Sequence, residues 1–173
     1  MNKLPDLHHL ILLKDPDIIG ISESWLSSGV ESHTLALNDY EIFRADRNHG
    51  NDPLGGVLLA IKRFLHPRCV ANNSEVESLI AEISIANTPI KVAIGYRTPS
   101  MSSNDNENFI QFYRDNLESS SRYIIIGDMN YPGINWETMT ASNANESKFI
   151  DFITENALHQ HVFEPTRAEN ILD

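Results

Sequence analysis

The sequence predicts an α+β fold of packed sheets flanked by helices, and three features of it carry that prediction. Short apolar runs rich in β-branched residues follow one another through the middle of the chain with no helical pattern between them. Two of these runs, Ser78 to Ile85 and Ile90 to Tyr96, are parted only by the turn-forming stretch Asn87-Thr88-Pro89. Segments with apolar residues three and four apart lie near both ends instead of alternating with the strands, as a parallel sheet would require.

Taken in order, residues 3 to 14 place Leu4, Leu7, His8, Leu10, Ile11 and Leu13 at helical spacings. Asp15-Pro16 ends that helix, because a residue before proline is pushed out of the α region. DIIGIS, 17 to 22, is a short buried strand that delivers Glu23 and Trp25 at its C-terminal end. From Tyr40, YEIFRADR alternates as a strand with one wet face. His49 to Pro53 is a polar loop, and GGVLLAIK after it is another strand. Beyond the hairpin, SSNDN at 102 to 106 offers N-caps for a helix carrying Phe109, Ile110, Phe112, Tyr113 and Leu117 on one side. Tyr123 to Gly127 is a buried strand running into Asp128-Met129-Asn130 and a Pro132-Gly133 turn. A helix from about Glu146 to Asn156 follows, and HVFEPTRAENILD reads as two short strands around a turn.

The formal charge of −11 opposes non-specific binding to nucleic acid, which rests on Lys and Arg, and suits a site that gathers divalent cations. Arg44, Arg47, Lys62, Arg63, His66 and Arg68 are the candidates for a local basic patch; a solvated surface with no partner is the alternative. Cys69 is the only cysteine, so no disulfide framework or disulfide-linked partner is expected, and it reads as a small buried hydrophobe. The apolar stretch LHHLILLKDPDIIGI is too broken to span a membrane and has no basic leader, so the expectation is an intracellular protein with no membrane partner.

Glu23, Tyr96-Arg97 and Asp128-Met129-Asn130 each follow an apolar run, and strand ends are where functional loops gather. If those ends meet, two carboxylates, an amide, a phenol and a guanidinium share one pocket. Paired carboxylates repel unless a cation lies between them, and such oxygen ligands suit Mg²⁺ with waters and a substrate phosphate. The spacing alone leaves other readings open. Glu23 is then a solvated turn residue, Asp128 and Asn130 hold a turn with their side chains, and Tyr96-Arg97 is a rim pair with the guanidinium in water.

Five segments in order, IIGISESWL, GGVLLAIK, VAIGYRTPS, YIIIGDMNYPGINWE and EPTRAENILD, resemble the endonuclease/exonuclease/phosphatase superfamily. More narrowly they resemble the apurinic-type endonuclease domain at the front of non-LTR (LINE-like) retrotransposon polyproteins. The resemblance implies a four-layer α/β/β/α sandwich, two mixed β-sheets face to face with helices outside. It implies Mg²⁺ (or Mn²⁺) on Glu23, an Asp128 that orients or deprotonates water, an Asn130 that donates to a phosphate oxygen, and a Tyr96 that stabilises developing charge. Arg97, Thr166 and Asp173 are then on the substrate-binding side, Thr166 as a phosphate-contacting hydroxyl. The implied reaction is hydrolysis of a DNA phosphodiester, leaving a 3′-hydroxyl that primes reverse transcription, in the nucleus for the parent polyprotein. The expected domain covers 1–173 without the family's first strand, which ends in an Asn metal ligand, and without its last strand, which carries an Asp-His pair. With part of the catalytic set missing, weak or absent activity is the corollary. Two alternatives stand beside it: a phosphatase of the same superfamily with a small phosphorylated substrate, and a non-enzymatic relic.

Overall fold

The structure, a computed structural model, describes residues 3–47, 54–117 and 122–162. The polar loop from His49, Thr166, Asp173 and nearly all of the terminal strand pair lie outside those residues. The first helix, α1 (Leu4–Lys14), leads into β1 (Ile18–Ser22), β2 (Tyr40–Ala45) and β3 (Val57–Lys62). These three form an antiparallel sheet in the order β1-β3-β2. A second sheet holds β4 (Arg68–Asn73), β5 (Ser78–Ile85), β6 (Thr88–Tyr96) and β7 (Arg122–Asp128) in chain order. It is mixed: β4, β5 and β6 are antiparallel, whereas β6 and β7 run parallel. A parallel pair needs a crossover, and α2 (Ser103–Asn116) supplies it; α3 (Ala144–Glu155) follows β7.

Alternating side chains sort themselves into three apolar clusters between four layers. On the outer face of the first sheet, Leu58 and Ala60 meet Leu4, Leu7 and Ile11 of α1. Between the sheets, Val57, Leu59 and Ile61 of β3 face Leu79, Ala81 and Ile83 of β5 and Val92 and Ile94 of β6. On the outer face of the second sheet, Ile80 and Ala93 pack with Phe109, Ile110 and Tyr113 of α2 and Phe149, Phe152 and Ile153 of α3. This is the α/β/β/α sandwich expected from the sequence. A buried Leu or Ile is worth about 1.5–3 kcal/mol.

The expected elements are found with small shifts. Ser102 caps α2, its hydroxyl accepting from the Asp105 amide at 3.1 Å, and Asn143 caps α3 by accepting from the Asn145 and Glu146 amides. The β5–β6 turn is Ala86-Asn87, both at positive φ (48° and 60°), so Thr88 and Pro89 already belong to β6. Two such residues twist as the flanking strands do, which is why a two-residue loop suffices. β4 was not expected: RCVANN has one β-branched residue and no alternation, and it lies on the sheet edge with a bulge between Cys69 and Ala71. Cys69, expected to be buried, is exposed on this edge strand.

Gly127 fixes how closely β7 approaches β6. Its φ is 135°, and a Cβ there would overlap the Gly95 carbonyl, a backbone atom that cannot swing away. Gly127→Ala is expected to cost at least about 1–3 kcal/mol, read as a lowered urea midpoint. An unchanged midpoint would mean the strands do not meet in this register.

Candidate active site

Parallel register brings Tyr96, the last residue of β6, opposite Asp128, the last residue of β7. Both end on the inter-sheet side, the face on which Val92, Ile94 and Ile126 are buried. β1 of the facing sheet points the same way and hands over to Glu23, whose exposed carboxylate accepts a hydrogen bond from the Tyr96 hydroxyl. Glu23 has φ 53°, a conformation uncommon for a residue of its kind and held by its surroundings. The phenol itself is buried, and its pKa is pushed well above the usual tyrosine value. Burial is the main cause, followed by the hydrogen bond to Glu23 and the negative fields of Glu23 and Asp128; Arg47 opposes them. Tyr96 is therefore a neutral proton donor at any ordinary pH.

Asn130, two residues beyond Asp128, has φ 51°, and its side-chain amide donates to the Arg97 carbonyl at 2.8 Å. Because that partner can only accept, the atom facing it is nitrogen, which carries a second hydrogen as well. Arg97 returns the bond: one guanidinium nitrogen donates to the Asn130 carbonyl at 2.7 Å, and Nε donates to Asn106 Oδ1 at 2.9 Å. The guanidinium also lies 4.2 Å from the centre of the Tyr131 ring, whose hydroxyl donates to the same Asn106 oxygen. Arg97 is only 6% exposed, so its guanidinium is not in water as a rim pair would have it. It is buried because α2 and the loop after β7 close over the end of β6. Glu146, buried in the first turn of α3, secures the next turn by accepting from the amides of Gly133 and Ser142, both at 2.9 Å.

The structure thus brings Glu23, Tyr96, Asp128 and Asn130 to one end of the sandwich, with Arg97 directly behind. Five of the six candidates for a basic patch, all but His66, are neutralised by ion pairs. Arg44 pairs with Asp46, Arg47 with Glu77, Lys62 with Asp15 and Asp17, Arg63 with Glu41, and Arg68 with Glu82. Arg44 is further tied to the carbonyls of Ser27 and Val30, so it braces a loop. The missed neighbours are Asn106, Tyr131, Glu77 and the glycines at 55 and 56. Glu77 was within reach of the same reasoning, since an acid before β5 must lie beside the end of its antiparallel partner β6.

Among the described residues no group of three or more His, Cys, Asp or Glu side chains is arranged to hold a metal ion. Glu23 and Asp128 are hard oxygen donors beside one phenol, a set that fits Mg²⁺ or Mn²⁺ held by one or two carboxylates and completed by water and substrate. It does not fit a closed nitrogen or sulfur site.

Layers, strand order and acidic strand ends together define the endonuclease/exonuclease/phosphatase fold, that of a superfamily whose members include metal-dependent nucleases and phosphatases. A family model described as "Endonuclease-reverse transcriptase" matches residues 90–173, just under half of the chain. Among solved structures, an AP endonuclease from Leishmania major superposes with a TM-score of 0.65 at 16% identity, over 90% of this chain and 61% of its own. The endonuclease domain of TRAS1, a telomere-specific non-LTR retrotransposon, superposes with a TM-score of 0.60 at 14% identity, over 97% of this chain and 74% of its own. The 3′ phosphatase NExo from Neisseria, bound to a product DNA hairpin, gives 0.59 at 12% identity, over 90% and 66%. The chain therefore spans less than two thirds of the Leishmania enzyme. No curated protein matches the sequence.

Proposed function

We propose that the chain is a divalent-metal-dependent phosphodiesterase domain acting on DNA, of the kind that nicks a target for reverse transcription. The observation that carries the reading is the convergence of Glu23, Tyr96 and Asp128 from three strand ends of two sheets on one spot. The TRAS1 likeness along nearly the whole chain and the family model over its second half support the retrotransposon assignment. Glu23 and Asp128 would hold the metal, which when bound neutralises charge on a phosphoryl oxygen. Tyr96, neutral, spends its one hydroxyl proton on the Glu23 carboxylate and so orients that ligand; once the metal draws charge from Glu23, the same proton would be free to turn towards a phosphate oxygen. Asn130 offers its second amide hydrogen to a phosphate oxygen, and Asp128 orients or deprotonates the attacking water. Thr166, Asp173 and nuclear action belong to the same proposal.

The test is plasmid nicking with Mg²⁺ or Mn²⁺ by the intact chain. Glu23→Gln, which keeps the size of the side chain and removes its charge, is expected to lower the nicking rate roughly a hundredfold to ten-thousandfold, and EDTA to abolish it. Nicking by the wild type that is no faster than that of Glu23→Gln, whether both nick or neither does, would sink the assignment of this chain as a working nuclease.

A second reading, a phosphatase acting on a small phosphorylated substrate, is favoured by one observation. The five basic side chains nearest in kind to a DNA track each pair with an acid on a chain of net charge −11. Phosphate release from small esters without plasmid nicking would select it.

A further inference from the structure

We propose that Glu77 is a positioning residue that locks Glu23 and Tyr96 into one geometry across the two sheets. The inference rests on the metal-site reading of Glu23 given above and extends it to a residue with no place in that reading. Glu77 immediately precedes β5, is 5% exposed and has φ 45°. Its carboxylate accepts from the Gly56 amide and from Arg47, whose Nε lies at 2.7 Å. Its backbone carbonyl accepts from the Tyr96 amide at 3.0 Å. Gly56 and Gly55 in turn accept, through their carbonyls, from the amides of Ser24 and Trp25, both at 3.0 Å.

These bonds close a ring: Glu23 to Ser24 along the chain, Ser24 to Gly56, Gly56 to Glu77, Glu77 to Tyr96, and the Tyr96 hydroxyl back to Glu23. Three members, Glu23, Ser24 and Gly56, flank strands of the first sheet, and two, Glu77 and Tyr96, belong to the ends of β5 and β6 in the second, so the ring fixes the distance between sheets at the place where the acid and the phenol meet. The apolar layer below cannot do this alone, because side-chain packing tolerates sliding that a directed hydrogen bond does not. A carboxylate is needed at 77 because three donors, the Gly56 amide and two nitrogens of Arg47, converge on it. Gly55 belongs to the same device: a Cβ there would strike both the Arg47 guanidinium and the Glu77 carboxylate.

The experiment is residue-resolved amide exchange and Mn²⁺ binding on the intact chain, comparing wild type, Glu77→Gln and the double variant Glu77→Gln with Arg47→Gln. The double variant leaves no uncompensated buried charge, so a folded species is available if the single variant is not. Glu23→Gln is the reference for binding without the ligand. Exchange at Ser24 and Trp25 is expected to rise about tenfold, the worth of about one hydrogen bond, while β1 from Ile18 to Ser22 is unchanged. Mn²⁺ affinity is expected to fall about tenfold to a hundredfold, as when the groups supporting a metal ligand are removed. Unchanged exchange at Ser24 and Trp25, or a uniform rise along β1, overturns the proposal whatever the metal result. Local acceleration in a protein whose wild type binds no more Mn²⁺ than Glu23→Gln upholds the ring, and then it is the metal reading that fails.

Discussion

Replacing Asp128 by Asn is expected to lower Mg²⁺-dependent nicking by roughly a hundredfold to ten-thousandfold while the protein still unfolds in one cooperative step. The swap keeps shape, turns one acceptor oxygen into an amide donor, and removes the charge that, on the proposed reading, draws a proton from water and faces the metal. The backbone is indifferent to it: the carbonyl of residue 128 accepts from the Arg97 amide at 3.0 Å, and the register opposite Tyr96 is made by main-chain bonds. Single-turnover nicking beside a urea titration separates the two effects. A rate within a few fold of wild type would remove Asp128 from the chemistry and leave it as a turn residue, the alternative its spacing always allowed.

The largest stability effect outside the apolar clusters should come from Arg97→Ala, about 3 kcal/mol. Hydrogen bonds from a charged donor contribute about 1.5–3 kcal/mol and a desolvated guanidinium over an aromatic ring about 0.5–2, and the truncation removes both. It also strands Asn106 Oδ1 with one donor and releases the Asn130 carbonyl. Arg97→Lys should recover less than half, since an ammonium has neither the flat face nor the forked donors. A urea titration gives the loss directly. A cost below about 1 kcal/mol would show that the buried network contributes little and that Arg97 is free to face a substrate.

The sequence was most legible where side-chain periodicity meets a buried layer. β3, β5 and β6 stand out as nearly continuous apolar runs because both faces of each strand are covered over much of its length, and the amphipathic helices α2 and α3 begin at residues that cap them. β4 was illegible for the opposite reason: none of its residues is fully buried, so no apolar run or alternation is imposed on it. At the site, each polar residue after an apolar run could be flagged, but not how its charge is used. Arg97 and Arg47 look alike as solvent-seeking cations. One is stacked on Tyr131 and the other neutralised by Glu77, because partners 34 and 30 residues away fold over them. Asp128 and Glu146 are both acids near the Pro132-Gly133 turn, and only the structure separates the one facing the site from the one bracing the loop.

The ion pairs of Arg44, Arg47, Lys62, Arg63 and Arg68 have a consequence for how this molecule meets another. Cations paired with neighbouring acids, some of them on the surface, leave the far field to the surplus acids, and on a chain of net charge −11 that field is repulsive to any polyanion. Encounter with such a partner is then slow in dilute buffer and quickens as the Debye length shrinks from about 30 Å at 0.01 M to about 10 Å at 0.1 M. Most proteins that handle nucleic acid lose association rate on adding salt. On the function proposed above this chain is expected to gain it, and divalent ions to add to the gain by screening.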